Sequence, residues 1–130
     1  MKIARAALML LFSLTPFSAF SQTSMLHFGE TGGEAIFKSV CAGCHMEDAR
    51  GAKGAGAYPA LRRDPKLGES GYPLMLVLHG RNAMPPIGEM MSDQQIADVI
   101  NFLRTHFGND YRDALTAADV GKARPVGTPS

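Results

Sequence analysis

Cys41-Ala42-Gly43-Cys44-His45 is the stretch on which the reading of this chain turns. It holds both of the chain's 2 cysteines, with a histidine directly behind the second. On a helix, side chains three and four positions apart share a face, with Cβ atoms roughly 5–6 Å from one another. Cys41, Cys44 and His45 therefore project together. Two thiols can add across paired vinyl groups while the adjacent imidazole reaches a metal at the centre of the same flat molecule. Cys-x-x-Cys-His is a haem-attachment signature, and the histidine is what makes it selective.

Three simpler chemistries compete for these residues. A redox dithiol expects a βαβ setting, whereas the flanks here read as helical and glycine-rich. A structural zinc site takes four ligands, and His27, His79 and His106 offer no paired spacing to complete one. A plain disulfide leaves His45 unused. Covalent haem accounts for all three residues, and the lack of an internal repeat implies one haem per chain.

The chain opens on a basic segment, Met1-Lys2-Ile3-Ala4-Arg5, followed by an apolar run from Ala6 to Leu14 and small residues at Ala19 and Ser21. This is the layout of a secretory signal peptide, here residues 1–21 with cleavage before Gln22. The apolar run falls short of the roughly 20 residues a membrane-spanning helix needs. The expectation is an exported, periplasmic protein with no integral membrane anchor. Removing Lys2 and Arg5 from the 13 basic residues leaves 11 against 12 acidic ones, a net charge of −1. That balance lacks the basic excess of a nucleic-acid binder.

The remainder reads as one all-α domain over residues 22–109, with a C-terminal extension, 110–130, that is partly disordered. The first helix is expected to start at Thr31, with Glu34 completing a capping box, and to carry Ile36, Phe37 and Val40 as its apolar stripe. Residues 46–71 read as a loop, since the run Gly51-Ala52-Lys53-Gly54-Ala55-Gly56 resists regular structure. A loop this long in a small domain needs a reason. Wrapping a cofactor supplies one, with Tyr58, Pro59 and Leu61 folded inward. A second helix spans Tyr72 to His79, with Pro73 in its first turn and Gly80 closing it. Pro85 and Pro86 then impose an extended strap. Ser92 and Gln95 open the last helix, along which Ile96, Val99, Ile100 and Leu103 recur at helical spacing. Beyond it, residues 116–120 form a short turn of helix and 122–130 a loose end.

His45 is the iron ligand fixed by the motif. For the opposite face Met84 is preferred, because it sits on the proline-stiffened strap and a thioether is a soft ligand. Met90 and Met91 compete for the role, and core packing is the bland function of any methionine. Met46 is too close to His45 to reach the far face, and Met75 is expected in the core. His79 would give a bis-histidine site, although a helix-end contact with free carbonyls suits both His79 and His106 better. Arg62, Arg63, Lys66, Arg81 and Asn82 are candidates for propionate contacts or partner docking, against the plainer reading of a solvated surface. Ala42, Ala55, Ala83 and Pro85 are expected to ring the haem edge.

In this order the elements resemble the class I c-type cytochromes, the small bacterial monohaem kind. The resemblance runs from Gly33-x-x-Ile36-Phe37 through the Cys-x-x-Cys-His motif and Pro59-Ala60-Leu61 to Ala83-Met84-Pro85 and the segment Asp98 to Leu103. It implies a cytochrome c fold of three to four helices wrapped around one covalently bound haem c. It also implies a crossing of the first and last helices in which Gly33 and Phe37 meet Val99 and Phe102. The backbone carbonyl of Pro59 is then the acceptor for the second ring nitrogen of His45. Such a protein carries single electrons rather than catalysing a reaction. Its redox partners are a dehydrogenase as donor and an oxidase or another cytochrome as acceptor. From Tyr72 to Gly108 the chain is also similar to cytochrome subunits that serve periplasmic dehydrogenases. Two rival functions remain at this point: a haem protein with a labile sixth ligand that binds a small gas or reacts with peroxide, and a haem-free thiol oxidoreductase.

Overall fold

Helix follows helix through most of the computed structural model, which describes residues 27–54 and 56–126. Residues 1–26 (which include the expected signal segment), Ala55 and residues 127–130 lie outside the described residues. The first helix, α1, is built of three consecutive pieces: α-helix Gly33–Ile36, a π-turn Phe37–Cys41 and α-helix Ala42–His45. Thr31 does not cap it. The N-cap is Gly32 at φ 83°, with no side-chain cap, and Glu34 instead pairs with Lys38 at 2.7 Å. The chain turns at Gly32 so that Gly33 can be pressed onto the last helix, and a left-handed turn favours glycine there. In the π-turn the Ala42 N–H bonds to the Phe37 carbonyl, inserting one residue into the helical turn. Phe37 thereby faces the last helix while Cys41, a turn later, lines the cleft described below.

After α1 the glycine-rich run is not structureless. β1, Ala52–Lys53, pairs antiparallel with β2, Ala57–Tyr58, in the register Ala52 to Tyr58 and Lys53 to Ala57. This ribbon amends the all-α expectation. Strands of two residues are too short to show alternation. Gly51 permits the pairing, because a Cβ there would lie 2.2 Å from the Tyr58 carbonyl oxygen.

A 3₁₀ turn, Pro65–Gly68, follows, with the Asp64 carboxylate accepting from the Lys66 N–H at 3.0 Å. Helix α2, Gly71–His79, carries Pro73 in its first turn and ends at Gly80 with φ 66°. Leu74, Val77 and Leu78 take its inner face, and Met75 is 50% exposed rather than in the core. Helix α3, Asp93–Thr105, has the expected capping box: Ser92 Oγ accepts from Gln95 N, and Gln95 Oε1 from Ser92 N. Gln95 Nε2 also donates to the carbonyls of Phe28 and Glu30, each at 2.8 Å, tying the lead-in to α3. Ile96, Val99, Ile100 and Leu103 are buried. Each such aliphatic contributes about 1.5–3 kcal/mol, so the stripe outweighs the cap, worth about 1 kcal/mol.

Helices α1 and α3 cross where Gly33 meets Phe102 and the Asp98 carbonyl. Phe37 packs beside Phe102 and Phe107, with ring centroids 5.8 and 4.9 Å away. Val99 lines the cleft described below.

The extension is more ordered than expected. Helix α4, Ala117–Ala123, is capped by Thr116 and buries Val120, so Lys122 and Ala123 are helical rather than loose. Two arginines dock this segment. Arg104 is fully buried: Nε donates to the Leu67 carbonyl at 2.8 Å, Nη2 to the Gly68 carbonyl at 3.0 Å and to Asp113 Oδ1 at 2.7 Å, and Nη1 to the Asp113 carbonyl. Arg124, just past α4, reaches across to Asp93 and to the carbonyls of Gly88 and Met91. Among the described residues no helix is long and apolar enough to cross a membrane.

Candidate functional site

Between α1, the 46–71 segment, α2, the strap and α3 runs an apolar cleft. A second lobe adjoins it, sharing Cys44, His45, Pro59, Lys66, Tyr72, Leu76, Met84 and Pro85. The inner wall is core: Leu67, Val77, Met91, Val99, Ile100 and Leu103 line the cleft and are themselves buried.

All five residues singled out from the sequence lie on this cleft: Cys41, Cys44, His45, Pro59 and Met84. Both cysteines are free thiols, Cys41 half-buried and Cys44 exposed. Loss of solvent, and secondarily the neighbouring Cys44, pushes the Cys41 thiol up to about 11.

His45 ends α1, where the next residue, Met46, takes φ 66° and turns the chain back. Its Nδ1 lies 2.8 Å from the Pro59 carbonyl oxygen. A carbonyl only accepts, so Nδ1 carries the proton and the neutral ring keeps its lone pair on Nε2, the form of imidazole that ligates metals. The bond fixes both tautomer and ring orientation. Gly51 supports it from behind: its N–H donates to the His45 carbonyl at 3.0 Å, while β2 delivers Pro59 directly after Tyr58.

Met84 is held by a tight turn in which Arg81 N–H donates to the Met84 carbonyl at 2.9 Å and Met84 N–H to the Arg81 carbonyl at 3.0 Å. Asn82 supplies the left-handed residue at φ 54°. A Cβ on Gly80 would lie 2.5 Å from the Met84 carbonyl oxygen, so the strap folds back directly over the end of α2. Of the competing methionines, Met91 lines only the first lobe and is 1% exposed, and Met90 lines neither, its carbonyl accepting from Phe28 N–H. Met84 borders both lobes, as does His45.

Polar groups are few. Lys66 Nζ sits 5.8 Å from the Tyr72 ring centroid and both residues line both lobes, joined by Arg81 and Asn82 in the second. Arg62 and Arg63 are not on the cleft, and Arg63 packs its side chain against Gly108. His106 takes the helix-end role, with Nδ1 2.9 Å from the Phe102 carbonyl and its ring stacked on Phe102. Of the expected rim, Ala83 and Pro85 line the second lobe, whereas Ala42 is buried in the core because α1 turns it inward. Sequence reasoning missed Tyr72 and Leu76 as lining residues, and Gly80 as more than a helix end. The signal for Gly80 was its place four residues before Met84 on a proline-bound strap.

The lining suits a flat apolar group with an ionised edge: free thiols, one metal-ready imidazole, an apolar wall, and a lysine, a tyrosine and an arginine grouped toward one lobe.

Residues 30–103 match the family model described as cytochrome C oxidase, cbb3-type, subunit III. The alcohol dehydrogenase (quinone) cytochrome c subunit of Gluconacetobacter polyoxogenes is 37% identical over 125 residues, covering 84% of this chain and 26% of that protein. The chain thus spans about a quarter of that relative's length. Cytochrome c6 of Bumilleriopsis filiformis is 32% identical over 84 residues, covering 55% of this chain and 84% of that one. Among solved structures, cytochrome cL from the marine methylotroph Methylophaga aminisulfidivorans is similar, with a TM-score of 0.50 and 26% identity over 75% of this chain and 67% of that chain.

Proposed function

Given that this chain belongs to the c-type cytochrome family, we propose that it is an exported monohaem electron carrier working in the periplasm, with a dehydrogenase as donor and an oxidase or another cytochrome as acceptor. The family's cofactor is covalently bound haem c, and the cleft fits it. When bound, that group supplies a one-electron couple at its iron.

In this reading Cys41 and Cys44 anchor the macrocycle through two thioether links. His45 Nε2 and the Met84 thioether would be the protein's ligands to the iron. Pro59 keeps the imidazole proton on Nδ1 and the ring in one orientation. Lys66 and Arg81 would offset the charge of the propionates, and the Tyr72 hydroxyl would donate a hydrogen bond to them. With an imidazole and a thioether both supplied by the protein, the residues would serve to hold a redox couple in an apolar, water-poor wall. Met/His ligation raises the potential. The alcohol dehydrogenase subunit among the relatives supports a dehydrogenase as donor.

One observation carries the reading: the His45 Nδ1 to Pro59 bond of 2.8 Å, on a cleft that both His45 and Met84 border. The oxidised haem-loaded protein is expected to show a sulfur-to-iron charge-transfer band that disappears in Met84→Ala. Persistence of the band in that variant removes Met84 from the iron. Rapid carbon monoxide binding by the reduced wild-type protein at neutral pH would replace the carrier with a small-ligand-binding protein. A native purification should bring a dehydrogenase with the chain.

A further inference from the structure

The C-terminal segment lies beyond the residues 30–103 that the family model matches, yet it reaches back to the loop carrying Met84. The Arg124 side chain is only 5% exposed. Its Nε donates to Asp93 Oδ1, its Nη1 to the Gly88 carbonyl at 2.9 Å and its Nη2 to the Met91 carbonyl at 2.6 Å. One guanidinium thereby grips both ends of the 3₁₀ turn Gly88–Met90 and the first residue of α3. Gly121 allows this approach, since a Cβ there would lie 2.9 Å from Asp93 Oδ2. On its other side the turn sits against α2, where a Cβ on Gly88 would lie 2.9 Å from Leu78 Cδ2. The strap is therefore pinned at its start by the Arg81–Met84 bridge and at its end by the tail.

We propose that Arg124 is a positioning residue for the Met84 loop: by clamping the Gly88–Met91 turn it keeps the thioether seated against competing ligands. This rests on the reading of Met84 as the iron's second axial ligand. A planar fork with fixed donor directions matches three acceptors in a way a lysine ammonium does not. Removing it strands the Met91 carbonyl and a largely buried carboxylate, and leaves the Gly88 carbonyl only its 3.3 Å bond from the Met91 N–H. The loop then opens more often, and the open fraction sets the apparent affinity of any outside ligand.

The test uses the full-length, haem-loaded protein and imidazole as the outside ligand, titrated against the oxidised spectrum. Arg124→Ala is expected to bind imidazole on the order of tenfold more tightly than wild type, with Arg124→Lys between the two. Ile36→Val, a core truncation away from the strap, should leave the affinity unchanged. Equal affinity in wild type and Arg124→Ala overturns the proposal, and so does an equal rise in Ile36→Val. Met84→Ala checks the ligand separately: if it binds imidazole no more tightly than wild type, the thioether reading is what fails. The clamp is then judged by amide hydrogen exchange. Faster exchange at Met90 and Met91 in Arg124→Ala, with α1 unchanged, sustains it, and unchanged exchange at those two amides overturns it.

Discussion

Gly33 and Phe102 touch so closely that a methyl group on the glycine would stand 2.5 Å from the Phe102 Cβ and 2.2 Å from the Asp98 carbonyl oxygen. Both atoms belong to the rigid part of α3, so relief requires the helices to separate. Gly33→Ala is expected to destabilise the protein by about 1–3 kcal/mol, as overpacking of a core does. Gly43 faces open space, and Gly43→Ala should stay within roughly 0.5 kcal/mol of wild type. Denaturant unfolding of the two variants side by side measures the difference.

Gly80 combines φ 66° with a virtual Cβ 2.5 Å from the Met84 carbonyl and 2.8 Å from Pro86 N. Gly80→Ala therefore displaces the strap rather than the helix it ends. The expected result is a weakened charge-transfer band and a lower reduction potential, because Met/His ligation is what raises it. Voltammetry of the variant checks this, with an unchanged potential as the contrary result.

Arg104 gathers the carbonyls of Leu67, Gly68 and Asp113 around one buried guanidinium. Arg104→Leu leaves those acceptors without their donor, which costs about 1–3 kcal/mol for each that stays buried. Thermal unfolding of the variant should show a large fall in midpoint and loss of the docked tail.

The hydrogen bond from Arg104, ahead of the Asp113 backbone contact, holds the Asp113 carboxyl below the ordinary carboxylate range. A depressed folded-state value means the contribution is whole above about pH 4 and is lost as pH falls through the folded value. Asp113→Asn should thus be less stable than wild type at neutral pH and indistinguishable from it in strong acid. A gap that persists at low pH would assign Asp113 another role.

Cys41 and Cys44 differ in access, and burial pushes the Cys41 thiol up to about 11. Because the thiolate is the nucleophile, iodoacetamide at pH 8 should modify Cys44 of the haem-free chain well before Cys41. Mass spectrometry of timed samples reads the order. Equal rates would mean that α1 does not form without its cofactor.

How much of this was legible in the sequence depended on whether a residue's role was local. The Ser92 and Gln95 cap, the α3 stripe, Pro73 and Gly80 around α2, and the Cys-x-x-Cys-His face all follow from neighbours within one or two turns. The Thr31 cap failed because the close approach of Gly33 to α3, a long-range contact, dictates where the helix begins. Met75 was misplaced because residues 74–78 are uniformly apolar and offer no period to choose a face. Nothing local marks Arg104, a cation in the last turn of α3; only the returning tail buries it. The ribbon escaped notice because two-residue strands leave no pattern.

The wall of the cleft and the heart of the protein are one set of side chains: Leu67, Val77, Met91, Val99, Ile100 and Leu103 serve both. Haem supply is thereby coupled to the chain's survival. The haem-free chain is therefore expected to be cut faster by an added protease than the haem-loaded one.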